Sequence, residues 1–268
     1  MPTDLTVNLS TDVGVNRKLR GVLGIGLKEF TMLFSECPPA GEHPIQVYYR
    51  LEGPTVRLVG NPRFYWMGLG VCDLTYDQLL FQFGHELCHI FTDPRCSNWF
   101  VESCCEMMSQ KMLRIMSAVW TARRMNFLPE SYLGRVIYAR KIEKYADQWI
   151  GDANEQIFGC RCLPDQAPLL AWWTTVRGSL GQNPVDRQRN VIIAEMLSPL
   201  FEKSNKHWDA LCFLGKATDG LPINSMEVCM NSDFRFDKWM QAVPENLKDF
   251  VKEIRDMLEG VTSPEGTS

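Results

Sequence analysis

Residues 85–89 read His-Glu-Leu-Cys-His, and they lie inside a stretch whose apolar residues follow helical spacing. Residues four apart share one face of a helix, so the imidazoles of His85 and His89 point the same way, as two ligands of one zinc ion must. Glu86 then projects beside the metal, where it can take a proton from the attacking water. The run therefore predicts a zinc-binding helix with Glu86 as the general base.

The limits of this helix follow from the residues around it. Its apolar positions recur at three-and-four spacing and are Leu79, Leu80, Phe83, Leu87 and Ile90. Thr75 or Asp77 can cap its start, and Pro94 ends it soon after Asp93 because proline cannot continue a helix. Gly84 is unfavourable inside a helix, and we expect it to permit close approach of another backbone or of a ligand.

A catalytic zinc ion needs a third protein ligand, and the next predicted helix offers two carboxylates. Ser97 or Asn98 can cap its start. Glu102 and Glu106 follow, four residues apart on one face. One can bind zinc while the other accepts a hydrogen bond from the free ring nitrogen of a ligand His. The alternative is that both are solvated glutamates of a first turn, where they favour the helix dipole.

The segments HELCH and WFVESCCE together resemble the gluzincin metallopeptidases, the group of thermolysin and aminopeptidase N. The resemblance covers residues 45–110 at most. It implies a zincin-like fold, zinc as the cofactor and hydrolysis of peptide bonds. Carried over by position, His85, His89 and Glu102 would be the zinc ligands, Glu86 the general base, and Glu106 the carboxylate that orients a ligand His.

The connection between the two helices departs from this family. Twelve residues lie between His89 and Glu102, and sixteen lie between His89 and Glu106. This is shorter than in the best-known gluzincins, so the loop is trimmed while the helices are kept. Glu106 therefore remains an alternative third ligand. No third His follows at metzincin spacing, and Asp93 is too close to His89 to reach round from the same helix end.

Enzymes of this kind also need a hydrogen-bond donor for the oxyanion that forms during hydrolysis, usually a Tyr or His from a later helix. The candidates here are Tyr138, Tyr145 and His207. A packing or surface role is the alternative for each of them.

The order of predicted elements indicates an α+β fold with a zincin-like small mixed sheet, an active-site helix and a mainly helical C-terminal lobe. Strands are expected at 5–9, 45–51, 55–59 and 63–71. By the resemblance, segment 65–71 is the candidate edge strand that pairs with an extended substrate, and an interior strand is the alternative. We expect a catalytic lobe over 1–125, a helical lobe over 126–261 with a cleft between them, and a disordered tail over 262–268.

Composition excludes some classes of function. The net charge is −4 and no basic run occurs, which argues against nucleic acid as a partner. No apolar run reaches the length of a membrane span. The start of the chain lacks the pattern of a signal peptide, so we expect a cytoplasmic protein, with leaderless secretion as the alternative. The ten cysteines are expected to be mainly reduced, with Cys88 in the core rather than on the metal.

Two functions remain. One is a zinc-dependent peptidase that acts on a peptide or protein, and the absence of the aminopeptidase motif G-x-M-E-N favours an endopeptidase. The other is a catalytically silent zincin-fold module that binds or scaffolds a partner. An intact Glu86 favours the peptidase, because this residue is not needed to hold zinc.

Overall fold

The computed structural model describes residues 4–35, 43–60, 63–72, 74–122, 132–219, 229–230 and 233–260. The described chain is a mixed α+β protein in which helices predominate, as predicted. Its strands are β1 (Leu5–Asn8), β2 (Ile45–Tyr49), β3 (Thr55–Val59), β4 (Phe64–Leu69), β5 (Cys96–Ser97) and β6 (Cys229–Met230). Its α-helices are α1 (Val13–Thr31), α2 (Tyr76–Thr92), α3 (Trp99–Thr121), α4 (Tyr132–Phe158), α5 (Gln166–Val176), α6 (Arg187–Glu202), α7 (Phe236–Ala242) and α8 (Glu245–Glu259). Two 3₁₀ helices cover Arg177–Gln182 and Asn205–Ala217.

The small mixed sheet has the strand order β1-β2-β4-β3. β1, β2 and β4 are parallel, whereas β3 runs antiparallel to β4. The inward residues Val7, Val47 and Met67 stand side by side in register and are buried, because alternate residues of a strand face the same side. The sheet therefore presents an apolar face to the helices.

The prediction that segment 65–71 forms an edge strand is wrong. β4 lies between β2 and β3, and β3 is the edge strand at this side of the sheet. β2 and β3 follow one another across a turn in which Gly53 adopts a φ of 103°, yet they do not pair. β4 is therefore an interior strand, which was the alternative to an edge strand for this segment.

Helix α2 has the limits that the sequence predicted: it begins after Thr75 and ends just before Asp93. Each of its predicted apolar positions is fully buried, and these are Leu79, Leu80, Phe83, Leu87 and Ile90. The helix packs on α1, β4 and α3. It is thus held in the core along its length, with the His-Glu-Leu-Cys-His run in its last turns.

Helix α3 begins at the predicted cap. The side-chain oxygen of Asn98 accepts hydrogen bonds from the backbone N–H groups of Phe100 and Val101 at 3.1 and 3.0 Å. The helix is buried on most of its surface, because α2 packs on one side and α4 and α6 pack on others. α3 is therefore the element that joins the first part of the chain to the later helices.

The lobe boundary predicted at 125–126 and the tail predicted at 262–268 lie outside the described residues. Among the helices that the structure describes, none combines the length and the apolar character needed to cross a membrane.

Candidate metal centre

A tight turn connects α2 to α3. The N–H of Cys96 donates to the carbonyl of Asp93 at 2.9 Å. The Asp93 carboxylate in turn accepts two hydrogen bonds from the guanidinium of Arg95, at 2.9 and 2.6 Å. Asp93 is therefore held within the turn, away from the two His side chains, as the sequence suggested. The trimmed loop brings the start of α3 directly back alongside the end of α2.

The two helices run antiparallel and approach most closely at Gly84. A Cβ atom placed on Gly84 would stand 2.9 Å from the Cβ of Met112 and 3.2 Å from the carbonyl oxygen of Met108. The first distance is shorter than Cβ atoms adopt and the second is tighter than most Cβ contacts, so alanine fits here only if the two helices shift. The prediction that Gly84 permits a close backbone approach is confirmed, and the approach sets the distance between His85 and the carboxylates of α3.

The carboxylate of Glu102 faces both imidazoles. Its Oε2 lies 3.3 Å from Nε2 of His85, and its Oε1 lies 3.6 Å from Nε2 of His89. The Ser97 hydroxyl donates to Oε1 at 2.9 Å and holds this carboxylate in place. Three potential ligand groups thus converge on one point between α2 and α3.

Glu106 lies on the other side of the His85 ring. Its Oε1 is 4.0 Å from Nδ1 of His85, while its Oε2 accepts a hydrogen bond from the indole N–H of Trp149 at 3.3 Å. The two carboxylates that the sequence left as alternatives therefore occupy different positions. Glu102 faces the Nε2 atoms of both imidazoles, whereas Glu106 faces Nδ1 of His85.

The spacing of these groups suits a bound metal ion. Zinc–nitrogen and zinc–oxygen bonds of about 2.0–2.2 Å put neighbouring ligand atoms of a tetrahedral site about 3.3–3.6 Å apart. The contacts from Glu102 to His85 and His89 fall at these values.

Cys105 also lies at this point, which the sequence reasoning missed. Its Sγ and one ring nitrogen each of His85 and His89 are all within 4.8 Å of one another. Burial, followed by a hydrogen bond to Cys88, raises the pKa of the Cys105 thiol well above its usual range. A metal binds the thiolate, so this protonated thiol is a poorer candidate ligand than the Glu102 carboxylate, which is already ionised.

Three carboxylates are buried together at this centre: Glu86, Glu102 and Glu106 are 3, 7 and 3 % exposed. Burial raises the pKa of Glu86 to about 8, although the nearby His85 opposes this. Burial also raises the pKa of Glu106. For Glu102 burial acts in the same direction, but attraction to His89 and His85 outweighs it and lowers the pKa to about 2. A concentration of buried acid groups of this kind favours a bound cation.

The two imidazoles differ in protonation when no metal is bound. Burial disfavours the charged form of His85, but the hydrogen bond and charge of Glu102 outweigh burial and raise the pKa of His85 to about 9. Burial lowers the pKa of His89 to about 4. His89 is thus ready to bind a metal at neutral pH, whereas His85 must first lose a proton.

A cavity of about 520 Å³ opens beside the centre, and His85, Glu86, His89, Glu102 and Glu106 all line it. Its walls come from both the early and the late parts of the chain. Among the other lining residues are Thr55 and Val56 of β3, Phe81 of α2, Tyr145 and Trp149 of α4, and Arg187 of α6. The site is therefore accessible to a ligand larger than water.

Of the three candidate oxyanion donors, the structure brings only Tyr145 to this cavity. The ring of Tyr138 packs edge-on against Tyr76, with centroids 5.6 Å apart. Nδ1 of His207 donates a hydrogen bond to the carbonyl oxygen of Leu200 at 2.8 Å, and the ring stacks on Phe250. Tyr138 and His207 therefore have packing roles in this fold, which was the alternative for each.

Trp149 and Arg187 are site residues that the sequence reasoning did not select. Trp149 follows Tyr145 by four residues in a segment predicted to be helical, so their shared face could have identified it. Arg187 begins another predicted helix, and no local signal marks it. Both reach the centre only through the packing of α4 and α6 on α3.

No protein-family model, curated protein or solved structure matches this chain. What the centre can do therefore has to be argued from its own geometry.

Proposed function

We propose that this protein is a zinc-dependent metallopeptidase of the gluzincin type, built on a zincin-like fold. The observation that carries the proposal is the position of Glu102, whose two carboxylate oxygens face the Nε2 atoms of His85 and His89. These three residues would hold a zinc ion at the wall of the cavity, where water and a substrate can reach it, as a catalytic zinc site requires.

Glu106 orients His85 in this proposal. It lies on the Nδ1 side of the ring and is itself held by the indole of Trp149. At 4.0 Å from Nδ1 this carboxylate can act through one bridging water, and such a contact favours the tautomer that presents Nε2 to the metal.

Glu86 is the general base. Zinc supplies the polarisation of the scissile carbonyl and the acidification of the attacking water. Glu86 takes the proton of that water and delivers it to the leaving amine. Burial raises its pKa to about 8 in the metal-free protein, and the charge of a bound zinc ion would lower this pKa towards the range in which a group can both accept and return a proton.

Tyr145 is the proposed donor to the oxyanion. Its side chain lines the cavity, and burial raises the pKa of its hydroxyl, so the hydroxyl keeps its proton at neutral pH. A donor fixed in a poorly hydrated site stabilises the charge that develops in the transition state.

The edge strand β3 supports a peptide as the substrate. It is the antiparallel edge of the sheet, and Thr55 and Val56 line the cavity. An extended peptide can add to such an edge through backbone hydrogen bonds whatever its sequence. The role that the resemblance assigns to an edge strand thus moves from segment 65–71 to β3.

The proposal is tested by measuring bound zinc and the cleavage of a peptide library by the wild type, by Glu86→Gln and by the control Glu143→Gln. Glu143 is an exposed residue of α4 outside the cavity. We expect Glu86→Gln to keep one zinc ion and to lose about 10²–10⁴-fold in cleavage rate, because a general base contributes about that much. The control should match the wild type in both measurements.

Two outcomes would contradict the proposal. If the wild type holds zinc but cleaves no peptide across a range of pH, the protein is better described as a silent zincin-fold binding module. If the wild type takes up no stoichiometric metal, both zinc-based functions are wrong.

A further inference from the structure

We propose that Arg187 binds a carboxylate of the substrate, either the C-terminal carboxylate or the side chain of an Asp or Glu. The inference rests on the peptidase function proposed above and specifies its substrate class: peptides with a negative charge close to the scissile bond.

Arg187 is a cation in a wall of an otherwise acidic cavity. It is the first residue of α6, it lines the cavity, and its side chain is exposed. No other Lys or Arg lines the cavity within the described part of the chain. The carboxylates and imidazoles of the lining, those of His85, Glu86, His89, Glu102 and Glu106, belong to the proposed metal centre. Outside that centre, Arg187 is therefore the cationic group of the wall that can attract an anionic peptide.

The nearest carboxylate in sequence does not neutralise Arg187. Asp186 accepts a hydrogen bond from the backbone N–H of Arg189 at 3.2 Å and so caps α6. Its other oxygen lies 3.3 Å from Nε of Arg189. The Arg189 guanidinium also donates to the hydroxyl of Ser179 at 3.1 Å. Asp186 is thus committed to Arg189, and its neighbour Arg187 is left facing the cavity.

Glu106 does not neutralise Arg187 either. The two charges influence each other, but among the described residues no carboxylate lies within 4.0 Å of the Arg187 guanidinium. The oxygens of Glu106 instead face His85 and accept from Trp149. The guanidinium therefore keeps its hydrogen-bond donors for a ligand in the cavity.

The backbone that carries Arg187 is fixed relative to α3. The Asn190 side chain donates to the carbonyl of Pro184 at 2.9 Å, and its oxygen accepts from the hydroxyl of Ser103 at 3.3 Å. Ser103 follows Glu102 directly, so the segment that holds Arg187 is tied to the helix that holds the metal site. A guanidinium presented from a rigid backbone can bind a carboxylate with two parallel hydrogen bonds.

Two pairs of peptides test the inference. The first pair is acetyl-Ala-Ala-Phe-Ala with a free C-terminal carboxylate and the same peptide as an amide. The second pair is acetyl-Ala-Ala-Phe-Glu-Ala amide and its Gln counterpart. Binding to zinc-loaded Glu86→Gln is followed by tryptophan fluorescence, since Trp149 lines the cavity, and cleavage is followed with Glu86 intact.

The variants are Arg187→Gln and Arg187→Lys, with Arg189→Gln as the control. Arg189 is two residues away on the same helix but is ion-paired and lies outside the cavity wall. We expect the anionic member of at least one pair to bind about tenfold tighter or more than its neutral partner, because hydrogen bonds between charged groups are strong. Arg189→Gln should keep this ratio, Arg187→Lys should keep part of it, and Arg187→Gln should reduce it to near one.

A preference within the first pair would mean that Arg187 binds the C-terminal carboxylate. A preference within the second pair would mean that it binds an acidic side chain. Equal binding within both pairs, a preference that survives Arg187→Gln, or no binding of any peptide would each overturn the inference. Cleavage without charge preference would leave the peptidase proposal intact. A charge preference that depends on Arg187, without cleavage, would instead overturn the peptidase and keep the binding site.

Discussion

Gly84 packs against Met112 so closely that a methyl group on Gly84 would stand 2.9 Å from the Met112 Cβ. This contact fixes the separation of α2 and α3 at the level of the proposed metal site. The next residue of α2 is His85, whose Nε2 lies 3.3 Å from Oε2 of Glu102 on α3. The distance between the ligands therefore depends on a residue that is not itself a ligand.

We expect Gly84→Ala to lower the free energy of unfolding by about 1–3 kcal/mol, since adding a methyl group to a packed core forces neighbours to shift. The shift separates the helices, so zinc affinity should fall as well. Chemical denaturation and zinc titration measure the two effects. The control is Gly24→Ala in α1, where a Cβ meets nothing within 4 Å. There, alanine should be neutral or stabilise the helix by up to about 1 kcal/mol. If Gly84→Ala and Gly24→Ala showed the same unfolding free energy and the same zinc affinity, the contact at Gly84 would not set the distance between the helices.

Substitutions of the acid groups on α3 separate their roles. Glu102→Gln should lose zinc, because it removes the charged ligand that faces both imidazoles. Glu106→Gln should keep zinc with an affinity about 10–100-fold weaker, as expected for a group that orients a ligand His. Cys105→Ser should change zinc affinity little. A competition titration against a chelator ranks the three variants. Loss of zinc from Cys105→Ser with retention by Glu102→Gln would make Cys105 the third ligand.

The local part of the centre could be predicted from the sequence, because helix spacing and caps are encoded within a few residues. α2 with His85 and His89, and α3 with its Asn98 cap, follow from such signals. The role of Gly84 in the close helix contact could also be anticipated, because glycine destabilises a helix and is often found where another group approaches closely.

The other parts depend on contacts between distant segments. The order of strands in the sheet is set by pairing across the chain, so the alternation in β3 and β4 could not show which of them is the edge. Cys105 looked like an ordinary core cysteine because its approach to the imidazoles follows from the helix crossing. Arg187 is still further from the His-Glu-Leu-Cys-His run in sequence, and it reaches the cavity because α6 packs on α3.

Zinc binding should release a proton near neutral pH. Without metal, the pKa of His85 is raised to about 9 by the surrounding carboxylates, so the imidazole is protonated at pH 7. A metal ion needs the neutral ring, so each binding event displaces this proton. Below the pKa of His85, apparent zinc affinity should therefore rise by at least about tenfold per pH unit, because Glu86, with a pKa of about 8, can release a further proton, and the affinity should level off above pH 9.

Calorimetric titration with zinc in buffers of different ionisation enthalpy counts the released protons directly. His85→Ala provides the comparison. This variant lacks the imidazole, so it should release no proton from this position and should also bind zinc more weakly. A zinc affinity that does not change between pH 6 and 8 would show that His85 is already neutral in the metal-free protein.

Ser97 should strengthen metal binding without touching the metal. Its hydroxyl donates to Oε1 of Glu102 at 2.9 Å, and both residues are buried. Ser97→Ala frees the carboxylate to rotate away from His89, so we expect zinc affinity about tenfold weaker, in the range for residues that support a ligand. The control is Ser109→Ala on α3, the helix that carries Glu102, where a buried hydroxyl donates to the carbonyl of Cys105 at 2.9 Å. Without zinc, Ser109→Ala loses a hydrogen bond to a neutral carbonyl, so its free energy of unfolding should fall by about 0.5–1.5 kcal/mol. Ser97→Ala loses a bond to the ionised Glu102, so its free energy of unfolding should fall by about 1.5–3 kcal/mol. Only Ser97→Ala should lose further stability once zinc is present, and the absence of this further loss would mean that Glu102 does not bind the metal.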